Sequence, residues 1–487
     1  MKNQPFLTDF PLTVFATAKR RWQATIRQAS AIVTRSSLSG YAVLFEHVLP
    51  GDFLARIDPT SRQRSLGHRP VFWAWLAQIL ESNASCHRAV SHLQSWARTC
   101  GLPAPSSDTS TYCQARIRLK GSFLVDIHHR IISHLRSRTA ERDQCQGFNL
   151  KALDGSSMQL MDTEVNQKKY PQPSVQKAGC GFPVMGVVGL LDLGHGGWEH
   201  FETFPNSHSE ITAAPCLLKH LGENDLLLGD RGFCSYELIA LCDARHVAVL
   251  MRLHQARDRK LDWRRGKKLS RYERLVTWKR PQQPSGSTLS KAEWKALPAT
   301  LTVRLIRLNF ENRAGEKATL TLVTTLLDSE KYDGIEMADL YARRWDIELK
   351  LRDLKTTLNM EKIAVKTPEM ARKSLRMSVI AFNLIRTLMQ SAAAEAEKPV
   401  WHISFKGVLD LVCASHESFR AHAGKPRKLR EALDYLITVC ATKQIDVRPY
   451  RSAARAVKRR PKPFPYLTAP RHQYQEIPHR SRYRKTA

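Results

Sequence analysis

Residues 341–355 read YARRWDIELKLRDLK, a run of helix-forming types with neither Gly nor Pro, and predict one uninterrupted helix from Tyr341 to Lys355. At about 100° per residue, Tyr341, Arg344, Glu348 and Lys355 fall at relative angles of roughly 0°, −60°, −20° and −40°. A phenol, a guanidinium, a carboxylate and an ammonium thus share one face. Such a face can hold a divalent cation and a phosphate backbone together, because carboxylate oxygen is a hard ligand and the cations neutralise phosphate. It also suits a salt-bridged surface helix, since Arg344 and Glu348 stand at i,i+4 spacing and charged helix faces are mostly solvated.

The choice between these readings depends on further carboxylates at strand ends. In FNLKALD (148–154) apolar and β-prone residues lead to Asp154, and Gly155-Ser156-Ser157 then breaks the pattern, so Asp154 is expected at or nearly at the end of a strand. In DLLLGD (225–230) the apolar run Leu226 to Leu228 delivers Asp230 to a loop, where Arg231-Gly232-Phe233 turns the chain into the helix-like SYELIALCDARH. GSSMQLMDT, VMGVVGLLDLG and WEHFETF read as strands, SEITAAPCLLKHLG as a helix and VAVLMR as another strand. This order fits a ribonuclease H-like α/β fold, a mixed sheet flanked by helices, in which two Asp side chains reach adjacent strand ends and a returning helix brings Glu348 to them.

Together, D-G-S at Asp154, D-R-G-F at Asp230 and Tyr341-x2-Arg344-x3-Glu348-x6-Lys355 resemble the three motif regions of the IS4-family DDE insertion-sequence transposases, which are related to the Tn5 transposase group. The third motif is the specific one. The resemblance covers roughly residues 148 to 360, with a fainter echo in KPFPYLTAPRH. It implies a DNA transposase with Asp154, Asp230 and Glu348 as catalytic metal ligands, and Tyr341, Arg344 and Lys355 gripping the DNA backbone. Trp345 matches an aromatic that in relatives stacks on a distorted terminal base; a core tryptophan would read the same. Two magnesium ions, with manganese as a substitute, suit an all-oxygen site. One would activate a water or 3′-hydroxyl and the other stabilise the leaving 3′-oxygen, Asp154 bridging both. The other readings are an inactive DNA-binding descendant and a ribonuclease H-like nuclease without strand transfer.

Composition agrees with a nucleic-acid partner. The chain has 487 residues, 43% hydrophobic, and a formal net charge of +31, which calls for a polyanion. The expected partner is double-stranded DNA, as element terminal inverted repeats and target DNA, bound by a homodimer. A membrane is not expected, because no apolar run approaches the ~20 residues of a spanning helix. No export signal is read at the N-terminus, where Asp9 interrupts the apolar stretch, so a bacterial cytoplasmic, nucleoid-associated location is expected. The 10 cysteines are scattered without CxxC pairs, as free thiols in a reducing compartment would be.

Six regions are expected: a helical DNA-binding region (1–147), the first part of the catalytic domain (148–251), a β-rich insertion (252–335), the catalytic helix and end of that domain (336–395), a helical C-terminal region (396–442) and a basic tail (443–487). In the first, Ser85 is expected to cap a helix carrying Val90, Leu93 and Trp96. A second helical stretch bearing Thr111, Gln114, Arg116 and Arg118 suits a DNA groove as well as an ordinary helical hairpin. The insertion is inferred because 118 positions separate Asp230 from Glu348. Residues 252–280 hold 12 Lys or Arg against 3 acids, with Trp263 and Trp278 able either to stack on bases or simply to pack.

Overall fold

The computed structural model describes residues 40–59, 64–81, 84–144, 147–177, 179–311, 317–445 and 473. Residues 1–39 and, apart from 473, the tail from 446 lie outside it, as does the side chain of Trp345.

Helix α1 (His68–Leu80) is hydrophobic around its circumference, FWAWLAQIL, and is accordingly buried at the centre of an N-terminal helical layer. Helix α2 (Cys86–Thr99) begins at Ser85, whose hydroxyl accepts the Arg88 N–H at 3.2 Å; Val90, Leu93 and Trp96 are buried along its inner side. Helices α3 (Thr109–Arg118) and α4 (Gly121–Arg136) follow. On α3, Arg116 lies over the rings of Trp75 and Tyr112, 5.1 Å from each centroid, and so packs against the bundle, while Gln114 and Arg118 face solvent.

The rest of the described chain is built on one mixed sheet of ten strands: β1 (Asn149–Leu160), β2 (Val184–Asp192), β3 (Trp198–Pro205), β4 (Asp225–Gly229), β5 (Ala248–Arg252), β6 (Lys267–Ser270), β7 (Glu273–Lys279), β8 (Thr300–Glu311), β9 (Lys317–Thr324) and β10 (Lys362–Ile363). Their order is β3-β2-β1-β4-β5-β9-β8-β7-β6, and β10 pairs with the end of β1. Antiparallel β1–β2–β3 joined to parallel β1–β4–β5 is the ribonuclease H-like arrangement. The strands of the insertion continue this sheet, since Leu250 to Arg252 of β5 pair antiparallel with Leu322 to Thr324 of β9.

Helix α5 (Glu210–Ala213) continues into a 3-10 turn over Ala214–His220 that contains Pro215, where a single longer helix was expected. It covers one face of the sheet together with α6 (Tyr236–Asp243). Helices α7 (Gly334–Ala342) and α8 (Trp345–Arg352) cross the other face, where α9 (Pro368–Glu395) packs along α4 and is buried over most of its length. Helices α10 (Phe405–Ala421) and α11 (Pro426–Ala441) complete this layer. Among the described residues no helix is long and apolar enough to cross a membrane.

Two further expectations are corrected. FNLKALD and GSSMQLMDT form one strand, and Asp154 lies in its middle, because β2 pairs with β1 without interruption from Lys151 to Gln159. Tyr341 to Lys355 is not one helix. Bonds of i→i−3 type tighten the chain at Arg343, Arg344, Asp346 and Ile347 between α7 and α8, and a π turn over Asp353–Thr357 follows. Of the two readings open for the insertion tryptophans, packing is the one found: Trp278 is covered by Arg257 at 4.2 Å, and Trp263 by Arg307 at 4.9 Å and Arg274 at 5.1 Å.

Candidate active site

β1 and β4 run parallel, with the paired register ending at Ala152 opposite Leu228. Two residues further along each strand stand Asp154 and Asp230. Neighbouring strands are about 4.8 Å apart, so the two carboxylates flank the crevice that opens where β4 ends. Each is held by its own backbone: Asp154 Oδ1 accepts the Gly155 N–H at 2.9 Å, and Asp230 Oδ1 accepts the N–H groups of Gly232 at 2.8 Å and Phe233 at 3.3 Å. The turn Arg231-Gly232-Phe233 therefore serves to aim Asp230.

Glu348 comes from α8, packed over β1 through Ile347. Its side chain is 44% exposed, and Oε1 accepts from Arg344 Nη2 at 3.1 Å. Arg344 is buried, and Tyr341, also buried, lies against it within charge reach of Asp230. Asp154 in turn feels the charges of Arg344, Asp230 and Glu348. The fold thus gathers Asp154, Asp230, Glu348, Arg344 and Tyr341. Lys355 is half-exposed in the π turn and forms no ion pair among the described residues.

Burial pushes the Asp154 carboxyl up to about 6, with Asp230 and Glu348 adding, while the Gly155 N–H and Arg344 oppose the rise. The donors are hard oxygens, and the nearby guanidinium is engaged by Glu348. This set fits a divalent cation, which would remove the mutual repulsion of the carboxylates. Raised above its unfolded value of 3.8, Asp154 costs the fold stability as it ionises, a cost absent at low pH and complete above about 6. Magnesium is therefore expected to raise Tm more at pH 7.5 than at pH 5.5, where a proton competes for Asp154. A thermal-shift series giving equal increments at both pH values would place the cation elsewhere.

A second cluster, Asp192, His195 and Glu199, has ligand spacing but a different character. Lys151 Nζ lies 2.8 Å from Asp192 and 2.9 Å from Glu199, and Arg136 Nε lies 2.7 Å from Glu199. Both acids are thus already paired with the protein's own cations. Although burial opposes it, His195, Lys151 and Arg136 hold Glu199 well below the ordinary carboxylate range. This is a buried charge network that ties β1 to β2, β3 and α4.

Sequence reading also missed Glu210, at the start of α5. Burial raises its carboxyl, and the charges of Asp154 and Asp230 add to the rise. An acid opening the helix after β3 was the available signal.

Comparison with known proteins adds the following. Residues 147–384 match the family model described as "Transposase DDE domain". The chain is 26% identical over 428 residues to the transposase InsG for insertion sequence element IS4 of Escherichia coli (strain K12), covering 85% of this chain and 89% of that protein. It is 33% identical over 75 residues to the transposase for insertion sequence element IS421 of Escherichia coli, covering 15% and 20% of the two chains. Among solved structures, a piggyBac transposase synaptic complex with hairpin DNA aligns at a TM-score of 0.41 and 9% identity over 81% of this chain and 84% of that one, a likeness too loose to argue from.

Proposed function

Since the chain belongs to the IS4-family DDE transposases, metal-dependent polynucleotidyl transferases, we propose that it cuts DNA at the ends of an insertion sequence and joins the freed 3′-hydroxyls to target DNA. The observation that carries the reading is the approach of Asp230 and Glu348, from the end of a strand and from a helix, to within charge reach of Asp154.

Two divalent ions, magnesium by preference, would supply a more acidic attacking hydroxyl and charge compensation at the leaving 3′-oxygen. Asp154, standing between the other two acids, would hold both, with Asp230 and Glu348 each completing one site. Arg344 keeps Glu348 oriented, and Tyr341 buttresses Arg344. In-line displacement at phosphorus needs no protein nucleophile. The polyanionic partner is double-stranded DNA, met by the charge of +31, and a homodimer would hold two element ends. Trp345, at the start of α8, and Lys355 would contact the DNA near the cut.

The test is incubation with the DNA flanking the gene, with and without magnesium, followed by mapping of cut and joined strands. Nicking with no joined product would make the protein a nuclease; no magnesium-dependent cutting would leave it a DNA-binding descendant. For Lys355, replacement by Ala is expected to weaken binding and reduce the slope of log K against log salt by about 1, the signature of one lost phosphate contact. An unchanged slope would remove Lys355 from the interface.

A further inference from the structure

We propose that Glu210 is a fourth carboxylate of the metal centre, and that residue 155 is glycine because this carboxylate occupies the space of its side chain. The proposal rests on the reading of Asp154, Asp230 and Glu348 as metal ligands.

The geometry starts from the alternation of β1. Ala152 joins the core on the α8 face, whereas Leu153 joins the opposite core with Ala213, Ala214 and Leu217, next to α5. Gly155 shares the Leu153 face. A Cβ built on Gly155 would lie 1.9 Å from Glu210 Cδ and 2.1 and 2.3 Å from its two carboxylate oxygens. Those distances cannot coexist with any side chain at 155, so the carboxylate rests directly on the strand backbone beside Asp154. Glu210 and Glu348 thus approach β1 from opposite faces. The β4 pairing ends at Leu228, and the crevice with Asp230 begins there.

Glu210 lies within charge reach of both Asp154 and Asp230, and forms no ion pair among the described residues. Three carboxylates held together without full neutralisation are costly unless cations join them. Charge balance favours including the fourth. Four carboxylates, the Arg344 guanidinium, two divalent ions and one phosphodiester sum to zero, whereas three carboxylates leave a net positive charge. Glu210 would act directly or through a bound water, in the way outer ligands commonly set metal affinity.

Manganese binding by the full chain without DNA tests this, read from loss of the free-ion electron paramagnetic resonance signal, with circular dichroism to confirm folding. Wild type, Asp154→Asn, Glu210→Gln and Gly155→Ala are compared. Glu210→Gln is expected to weaken binding by roughly 10- to 100-fold, and Gly155→Ala, which leaves the glutamate in the chain but displaces it, to do likewise. If Asp154→Asn weakens binding while both other variants match wild type, Glu210 is not part of the centre and the ligand reading stands. If Asp154→Asn itself binds as wild type, the ligand reading falls and this proposal with it. Should Glu210→Gln fail to fold, Gly155→Ala decides: wild-type affinity overturns the proposal and weakened affinity supports it.

Discussion

Asp154→Asn is expected to stop strand cleavage while making the metal-free protein harder to unfold at pH 7.5. The two effects share one cause. The fold holds the Asp154 carboxyl at about 6, against 3.8 when exposed, so its ionised form is carried at a cost on the order of 1–3 kcal/mol. Asn keeps the shape and removes that cost. It also removes the ligand proposed to stand between two cations, whose contribution to the transition state is several kcal/mol, equivalent to a roughly 10³-fold or larger fall in rate. Saturating magnesium should reverse the order of stabilities, because only the wild type gains from it. Asp230→Ala and Glu348→Ala should likewise lose cleavage yet retain binding to element ends. The measurements are end cleavage with labelled DNA and urea midpoints with and without magnesium. Cutting at the wild-type rate by any of the three would remove that residue from the catalytic set.

The second large effect is structural. Lys151→Met is expected to destabilise the protein by about 3–5 kcal/mol, because it leaves Asp192 and Glu199 buried with their shared cation gone. Domains are stable by only about 5–15 kcal/mol, so the urea midpoint should fall sharply. The double variant Lys151→Met/Glu199→Gln should recover part of the loss, since it removes one of the stranded charges. The pH dependence has a definite sign. Glu199, held low, contributes stability above its unfolded pKa and loses it on acidification; Lys151, held high by Asp192, Glu199 and Asp225 against the opposing effect of burial, contributes below its own and loses it in strong alkali. A Lys151→Met midpoint equal to wild type would mean that the network is not the tie between β1, β2 and β3 described above.

The network also has a backbone counterpart. In the turn between β2 and β3, Gly196 adopts φ +68°, and a side chain there would meet the Arg386 guanidinium at 2.0 Å. Arg386 donates to the His195 carbonyl at 2.9 and 3.1 Å, so α9 is fastened to the hairpin that carries Asp192 and Glu199. None of this has a local signature. Lys151 sits in FNLKALD looking like an ordinary polar residue of a half-buried strand, and its partners lie 41 and 48 positions away.

By contrast, the succession of elements was written in short-range pattern. Apolar runs bounded by turn residues identified β2 to β5 and Ser85 marked a helix start, because hydrophobic period and capping act over a few residues; that the insertion's strands continue the catalytic sheet was settled only by the pairing of β5 with β9. The motifs around Asp154, Asp230 and Glu348 could be picked out for the same reason: each is a local arrangement of typed side chains. In two places where the reading erred, a distant partner had overridden a local preference. β2 carried β1 straight through Gly155, and the layer beneath α7 and α8 broke a helix whose residues alone would have run on. The sequence by itself determined which acids were available and on what kind of element each sits; the tertiary structure alone decided that they meet, that Lys151 neutralises the other acidic cluster, and that Glu210 takes the space beside Asp154, because charge and volume are settled between strands and helices far apart in the chain.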